Sequence, residues 1–257
     1  MNFLDNYGTG YNMEYNFIFD VDGTLTPSRQ KIDSLFEIFF RGWIAKYNVW
    51  LITGSDYEKT VEQLGKEICE EVRAVHNCAG NSIWEKGKEI YKSEWVIPKE
   101  AKSFLSHMLQ NSKFPFRSGR HIEERPGLVN FSVIGRNCTL GERKMYVQYD
   151  NNNNERNTIA KLFNTEFRDY GIVAQVAGET GLDIIPVGAD KRQILRMVSF
   201  PIIFFGDKTE PGGNDYPLAE ALENRKDSYV ISVKSWKDTK KVMKKIINDI
   251  HSFLNGL

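Results

Sequence analysis

Three times in this chain a short apolar run of strand length breaks off in a polar, glycine-containing loop. Asn16 to Val21 (N-F-I-F-D-V) ends in D-G-T-L-T, Val49 to Ile52 stops at T-G-S-D (Thr53 to Asp56), and Pro201 to Phe205 (P-I-I-F-F) runs into G-D-K-T-E-P-G-G-N-D (Gly206 to Asp215). Helical patterns follow the first two loops. Leu35, Phe36, Phe39, Phe40 and Trp43 recur at steps of three and four behind Asp33-Ser34, and E-K-T-V-E-Q-L follows Thr53 to Asp56. A fourth strand is predicted at Ser228 to Val233. Apolar strands that alternate with helices form a parallel sheet covered on both faces, and such sheets bind ligands at the carboxyl ends of their strands. The three polar loops are therefore expected to meet on one rim of an α/β core.

Between the second and third strand–loop figures the pattern changes. Ile122 to Ile134 interleaves apolar residues with Arg and Glu, and Gly171 to Val187 carries V-A-Q-V-A and L-D-I-I-P; helices are predicted at roughly Lys99 to Gln110 and Asn157 to Arg168. A chain of 257 residues has room for one core and a smaller module. The reading is an α+β cap at 93–189 inserted into a core made of 1–92 and 190–257. The four-asparagine run Asn151 to Asn154 is expected to be a loop inside that cap. Thr239 to Leu254 places Val242, Met243, Ile246, Ile247, Ile250 and Phe253 on one helical face, with Lys240, Lys241, Lys244 and Lys245 opposite. That is a closing amphipathic helix with a solvated basic face, or a site for an anionic partner.

Thirty-four Lys+Arg balance 34 Asp+Glu, which speaks against a strongly basic nucleic-acid binder. No apolar run approaches the ~18 residues that span a bilayer. Met1 to Glu14 reads as a short polar tail, with acids and asparagines where a signal peptide needs a basic start and an apolar stretch. Cys69, Cys78 and Cys138 form neither a disulfide framework nor a C-x-x-C metal site, and their odd number suits a reducing, cytoplasmic compartment.

Asp20 and Asp22 stand two residues apart at the end of the first strand. One carboxylate can attack phosphorus and become an aspartyl phosphate while the other protonates the leaving oxygen and activates the next acceptor. A polyanionic phosphoryl group beside carboxylates calls for a cation; Asp20 and Asp207 offer hard oxygen ligands for Mg2+, with Asp22 counted in the same ligand set. Gly23 permits a tight loop with backbone amides facing a phosphate. Thr53 or Ser55 supplies a hydroxyl and Lys191 a fixed positive charge. Taken singly each feature is ordinary, since D-x-D-G-T is also a turn with a capping aspartate and G-G-N-D a plain turn. Their joint occurrence at strand ends is what points to phosphoryl transfer.

Together these motifs resemble the haloacid dehalogenase superfamily, and over nearly the whole chain the sequence is similar to the eukaryotic-type phosphomannomutases. The stretches that carry the resemblance are F-D-V-D-G-T-L-T-P-S-R-Q-K-I (Phe19 to Ile32), G-S-D-Y-E-K (Gly54 to Lys59), I-G-R-N-C (Ile134 to Cys138) and F-F-G-D-K-T-E-P-G-G-N-D (Phe204 to Asp215). The resemblance implies a Rossmann-like parallel-sheet core with an inserted cap. It makes Asp20 the nucleophile, Asp22 the acid/base and Asp207 a magnesium ligand. It also implies that Arg29, Arg125, Arg136 and Arg143 grip the phosphate that is not reacting, and that Asp183 contacts sugar hydroxyls. A hexose 1,6-bisphosphate activator, hexose phosphate substrates and a homodimer through the caps belong to the same expectation.

The chain departs from that pattern at several positions. Gly181 stands where the family has a serine, Ala189 where it has a tryptophan, and Ser118 where it has a cap arginine, with Arg117 and Arg120 as neighbours able to substitute. Y-P-L-A-E-A-L-E-N after Asp215 lacks the family's second cation loop, so only the catalytic magnesium is expected. Thr53 resembles the T-G of related sugar phosphatases. A sugar-phosphate phosphatase on the same scaffold is thus the competing reading, in which water accepts the phosphoryl group and the arginines select the substrate. A non-catalytic sugar-phosphate binder is a further alternative, against which the intact Asp20, Asp22 and Asp207 count. Without the resemblance the arginines would be read as solvent-facing partners of Glu123, Glu124 or Glu142.

Overall fold

A computed structural model describes residues 15–248, 250 and 256. The polar tail Met1 to Glu14 and the end of the closing helix beyond Ile250, Phe253 included, lie outside them. The first part of the core runs β1 (Asn16–Phe19), α1 (Ser34–Ile44), β2 (Asn48–Ile52), α2 (Tyr57–Leu64), α3 (Lys66–Glu71), β3 (Ala74–Asn77), β4 (Ser82–Glu85) and β5 (Lys88–Lys92). The cap follows as α4 (Lys99–Asn111), β6 (Ile122–Arg125), β7 (Leu128–Phe131), α5 (Leu140–Asn153), α6 (Glu155–Glu166), β8 (Ile172–Ala177) and β9 (Gly181–Pro186). The core resumes at a 3₁₀ turn, Lys191–Arg196, and closes with β10 (Ile202–Gly206), α7 (Tyr216–Glu223), β11 (Ser228–Ser232) and α8 (Trp236–Asn248).

The core sheet has the order β11-β10-β1-β2-β3-β4-β5. Its first five strands are parallel, and β1 lies between two partners in register, with Phe19 opposite Leu51 on one side and Phe205 on the other. Strands buried on both faces need apolar residues throughout. Phe17, Phe19, Leu51 and Phe205 pack with α1 and α8, while Ile18, Ile52 and Phe204 face α7 and the 3₁₀ turn. The sheet ends in an antiparallel hairpin, β4-β5, that the alternating pattern did not announce. Its two-residue turn is Lys86-Gly87, both at positive φ, the backbone a tight hairpin requires.

Two sequence expectations need correction. Leu35 is 70% exposed: α1, capped by Asp33, whose carboxylate accepts from the amides of Leu35 and Phe36, buries Phe36, Phe40 and Trp43 instead. The asparagine run is not a loop. Asn151 to Asn153 form the last turn of α5, and Asn154 alone breaks the helix by adopting a left-handed conformation (φ 53°), after which α6 starts at once. A capping box between Thr139 and Glu142 starts α5, which buries only Tyr146 and Asp150, so its apolar stripe was too thin to read.

In the cap, β6-β7-β9-β8 form an antiparallel sheet with Glu123 opposite Asn130 and Asn130 opposite Asp183. Val129, Phe131, Leu182 and Ile184 pack on α4 and α6. By strand alternation Glu123, Asn130 and Asp183 then lie on the opposite face. No helix among the described residues is long and apolar enough to cross a membrane.

His76 of β3 is fully buried and neither ring nitrogen has a hydrogen-bond partner. Burial lowers its pKa from 6.5 to about 4. Unfolding therefore takes up a proton below pH 6.5 that the native state refuses until about pH 4. Stability is full above that window and falls through it, by about 3 kcal/mol in all. His76→Gln should flatten this share of the pH slope in urea-unfolding midpoints measured across the window; an unchanged slope would show that His76 does not supply it.

Candidate active site

The ends of β1 and β10 and the turn before β10 meet at a buried ion cluster. Lys191, 1% exposed, donates from Nζ to Asp20 Oδ1 at 2.5 Å and to Asp215 Oδ1 at 2.6 Å. Asp215 Oδ2 accepts from the Lys208 amide at 3.0 Å, which folds the G-D-K-T-E-P-G-G-N-D loop back on itself. Asp20, Asp207 and Asp215 can each bring one oxygen within 4.8 Å of the others. Glycines make this approach feasible. A Cβ on Gly23 (φ +87°) would stand 2.4 Å from Asp207 Oδ2, and one on Gly206 would stand 2.8 Å from Asp215 Oδ2.

Burial, and then the charges of Asp215 and Asp207, push Asp20 well above the ordinary carboxylate range despite Lys191. Asp207 is raised by burial and by Asp215 as well. Desolvation alone would lower Lys191, but Asp20 and Asp215 outweigh it and hold the ammonium above its usual pKa. Three carboxylates thus face one buried ammonium, Lys191, and one exposed one, Lys208, 3.4 Å from Asp207 Oδ2, and Asp20 Oδ2 is buried with no partner at all. An acceptor-only oxygen orphaned in a negative cluster fits a hard divalent cation. The side chain of Asp22 stands outside this group, and Asp215, which the sequence reading gave no role, takes its place. The signal for Asp215 was its position as the last residue of G-G-N-D.

Asp22 belongs to a different network. Its Oδ1 accepts from the Arg29 amide at 2.6 Å and from Gln63 Nε2 at 3.0 Å; Ser55 Oγ stands 3.4 Å from Oδ2. Thr53 is buried at the end of β2, and its Oγ1 accepts from the Ser55 amide at 3.1 Å. Backbone bonds from Thr53 to His76 and from Cys78 to Ser55 fix this loop against β3. Gln63 was missed: it is the last but one residue of α2, in an unremarkable helical pattern, 41 residues from the carboxylate it touches.

The cap supplies cations. Arg125 and Arg136 both donate to Glu123 Oε2, at 2.8 and 2.7 Å, and Arg125 also reaches across to the Gly54 carbonyl of the core at 3.2 Å. Arg143 pairs with Glu179 at 2.6 Å. The arginines are not solvent-facing, since Arg125, Arg136 and Arg143 keep only 18%, 20% and 14% of their side-chain area exposed, although Glu179, the partner of Arg143, is 65% exposed. Glu142 serves the α5 cap and Glu124 pairs with Lys102. Desolvation, then the charges of Arg143 and Arg136, hold the Arg29 guanidinium below its ordinary pKa. Glu123 is kept below its usual range by Arg125 and Arg136 against the effect of burial. Asp183, raised by burial, accepts from Asn130 Nδ2 at 2.6 Å.

Arg117 cannot replace the cap arginine absent at Ser118. Its guanidinium caps the end of α4, donating to the carbonyls of Leu109, Ser112, Phe114 and Phe116. Arg120 sits beside Arg136, whose amide donates to the Arg120 carbonyl at 2.9 Å. A Cβ on Gly181 would lie 2.9 Å from Asn130 Nδ2, so a serine there would press on the amide that holds Asp183.

The family model described as Eukaryotic phosphomannomutase matches residues 36–249. The phosphomannomutase of Drosophila melanogaster is 34% identical over 249 residues, spanning 91% of this chain and 96% of its own. That of Saccharomyces cerevisiae is 32% identical over 241 residues, 90% and 93% of the two chains. Phosphomannomutase 1 of Mus musculus is 36% identical over 214 residues, 78% and 81%. Among solved structures, an N-terminally truncated, IMP-bound IMP-nucleotidase of Plasmodium falciparum superposes with a TM-score of 0.61 at 15% identity, covering 93% of this chain and 69% of that one. Trehalose-6-phosphate phosphatase of Aspergillus fumigatus gives 0.52 at 18% identity, 86% and 83%. At those identities the likeness is one of fold alone.

Carboxylates raised by burial and mutual repulsion exchange their protons for a cation. Mg2+ should raise the melting temperature, by about 1.4 kcal/mol of stability at tenfold excess over its Kd, and the shift should shrink as the pH is lowered and protons compete. Asp207→Ala should remove the shift; a shift that survives that change, or that does not depend on pH, would place the cation elsewhere.

Proposed function

The chain belongs to the eukaryotic phosphomannomutase family, and from that premise we propose that it is a phosphohexomutase that interconverts mannose 6-phosphate and mannose 1-phosphate in the cytoplasm. The single observation that carries the reading is that the cap holds three largely buried arginines, Arg125, Arg136 and Arg143, on carboxylates, with Arg125 reaching the core at the Gly54 carbonyl, 3.2 Å away. A mutase must hold one phosphate while the other reacts, and guanidinium forks match phosphate oxygens.

Asp20 attacks phosphorus, the bond to the sugar oxygen breaks, and Asp22 gives that oxygen a proton, leaving an aspartyl phosphate. The bisphosphate formed by transfer back to a sugar monophosphate turns within the site, and a hexose 1,6-bisphosphate primes the first cycle. Lys191 keeps a fixed positive charge against Asp20 throughout. Asp20, Asp207 and Asp215 would hold Mg2+, which when bound offsets the negative charge gathered by carboxylates and phosphoryl group. Asp183, supported by Asn130, faces the sugar hydroxyls. The Arg125 bond to the Gly54 carbonyl brings the cap down beside the Thr53–Ser55 loop, and a closed cap keeps water from the aspartyl phosphate. A homodimer through the caps is part of the same proposal.

Phosphorus NMR with magnesium, mannose 1-phosphate and a trace of hexose 1,6-bisphosphate should show mannose 6-phosphate, with no signal from Asp20→Asn. Release of inorganic phosphate without isomerisation would make the protein a phosphatase instead. Arg143→Met should lower kcat/KM about 10- to 100-fold, the loss of one charge-assisted phosphate contact; an unchanged value would remove Arg143 from the second phosphate's site.

A further inference from the structure

Gln63 is 2% exposed and its side chain points away from the apolar core toward the acid/base carboxylate. Its Nε2 is shared between Asp22 Oδ1, at 3.0 Å, and Thr26 Oγ1, at 3.2 Å. A carboxylate only accepts, so the nitrogen of the amide must face it. The same residue's backbone carbonyl accepts from the Ile32 amide at 2.8 Å. Between these two anchors runs the segment that holds Asp22, the Asp22–Thr26 bridge and Arg29. The Arg29 amide closes the figure by donating to Asp22 Oδ1 at 2.6 Å.

Resting on the mutase reading above, we propose that Gln63 is a positioning residue for the proton transfer. Two N–H groups occupy Asp22 Oδ1 and fix the rotation of the carboxyl group. Oδ2, whose only hydrogen-bonding neighbour is Ser55 Oγ at 3.4 Å, is left to carry the proton to the leaving sugar oxygen. When the P–O bond of a sugar phosphate breaks, its electron pair stays on the sugar oxygen and the Asp22 proton neutralises it. When the leaving group is p-nitrophenolate, the electron pair is stabilised by the ring and no proton is needed. Gln63 should therefore matter for the first kind of donor and not for the second.

The test is Gln63→Met, which keeps the length of the side chain and the backbone bond to Ile32 but removes the N–H. With mannose 1-phosphate and a trace of hexose 1,6-bisphosphate, kcat should fall at least about 10-fold, with KM unchanged within about threefold. The pre-steady-state burst of p-nitrophenolate from p-nitrophenyl phosphate should stay within about threefold of wild type. Equal losses on both donors, a rise in KM alone, or no loss at all would overturn the proposal. Where Gln63→Met does not fold, Gln63→Asn, with the amide one methylene short of Asp22, is held to the same criteria. A wild-type chain that transfers from neither donor would overturn the reading of Asp20 as nucleophile, and this proposal with it.

Discussion

Everything at the catalytic rim hangs on one buried ammonium. Lys191 joins Asp20, 171 residues earlier, to Asp215, 24 residues later, in a place where none of the three can be hydrated. Desolvating these charges is costly, and the geometry repays it only while all partners are present; removing one partner of such a cluster costs on the order of 3–5 kcal/mol. The cluster therefore fixes the C-terminal ends of β1 and β10 and the loop after β10 relative to each other. The surplus negative charge that remains is the cluster's functional content. It suits a divalent cation, in a medium where electrostatic effects are strong.

The cap answers with the opposite sign, but it is not simply positive. Glu123 bridges Arg125 and Arg136, and Glu179 takes Arg143, so each guanidinium is held by a carboxylate that leaves part of its donor fork free. Fixing the arginines beforehand reduces the rotamer entropy lost when a phosphate binds. Arg29 lacks such a carboxylate clamp; desolvation, and then the charges of Arg143 and Arg136, lower its pKa. Two partly neutralised clusters of opposite sign thus stand in the chain, carboxylates around Lys191 in the core and arginines on Glu123 and Glu179 in the cap.

Much of this was legible beforehand, for identifiable reasons. β1, β2 and β10 could be read because strands buried on both faces admit nothing but apolar residues, and their polar loops stand out by contrast. Asp20, Asp22 and Asp207 sit in those loops. The elements that escaped have weak one-dimensional signals. Helix α5 buries too little to show a stripe, the β4-β5 hairpin is mostly exposed, and the asparagine run has the composition of a loop while its first three residues extend a helix. Spacing cannot tell which way a side chain turns, so the separation of the Asp22 carboxylate from the cluster of Asp20, Asp207 and Asp215 could not be read. Asp20 and Asp22 are separated by one residue, yet one meets Lys191 and the other Gln63.

The sequence by itself determined the α/β core, the inserted cap and the residue types available for phosphoryl transfer, because periodicity and turn chemistry are local properties of a chain. Tertiary structure alone decided which carboxylate joins Asp20 and Asp207, which carboxylates hold the cap arginines, that Arg117 is spent on capping α4, and that Gln63 holds Asp22. Those are contacts between residues up to 171 positions apart. The physical reason is that charge pairing and hydrogen-bond satisfaction in a buried site depend on distances of a few ångströms, which only the packed chain sets.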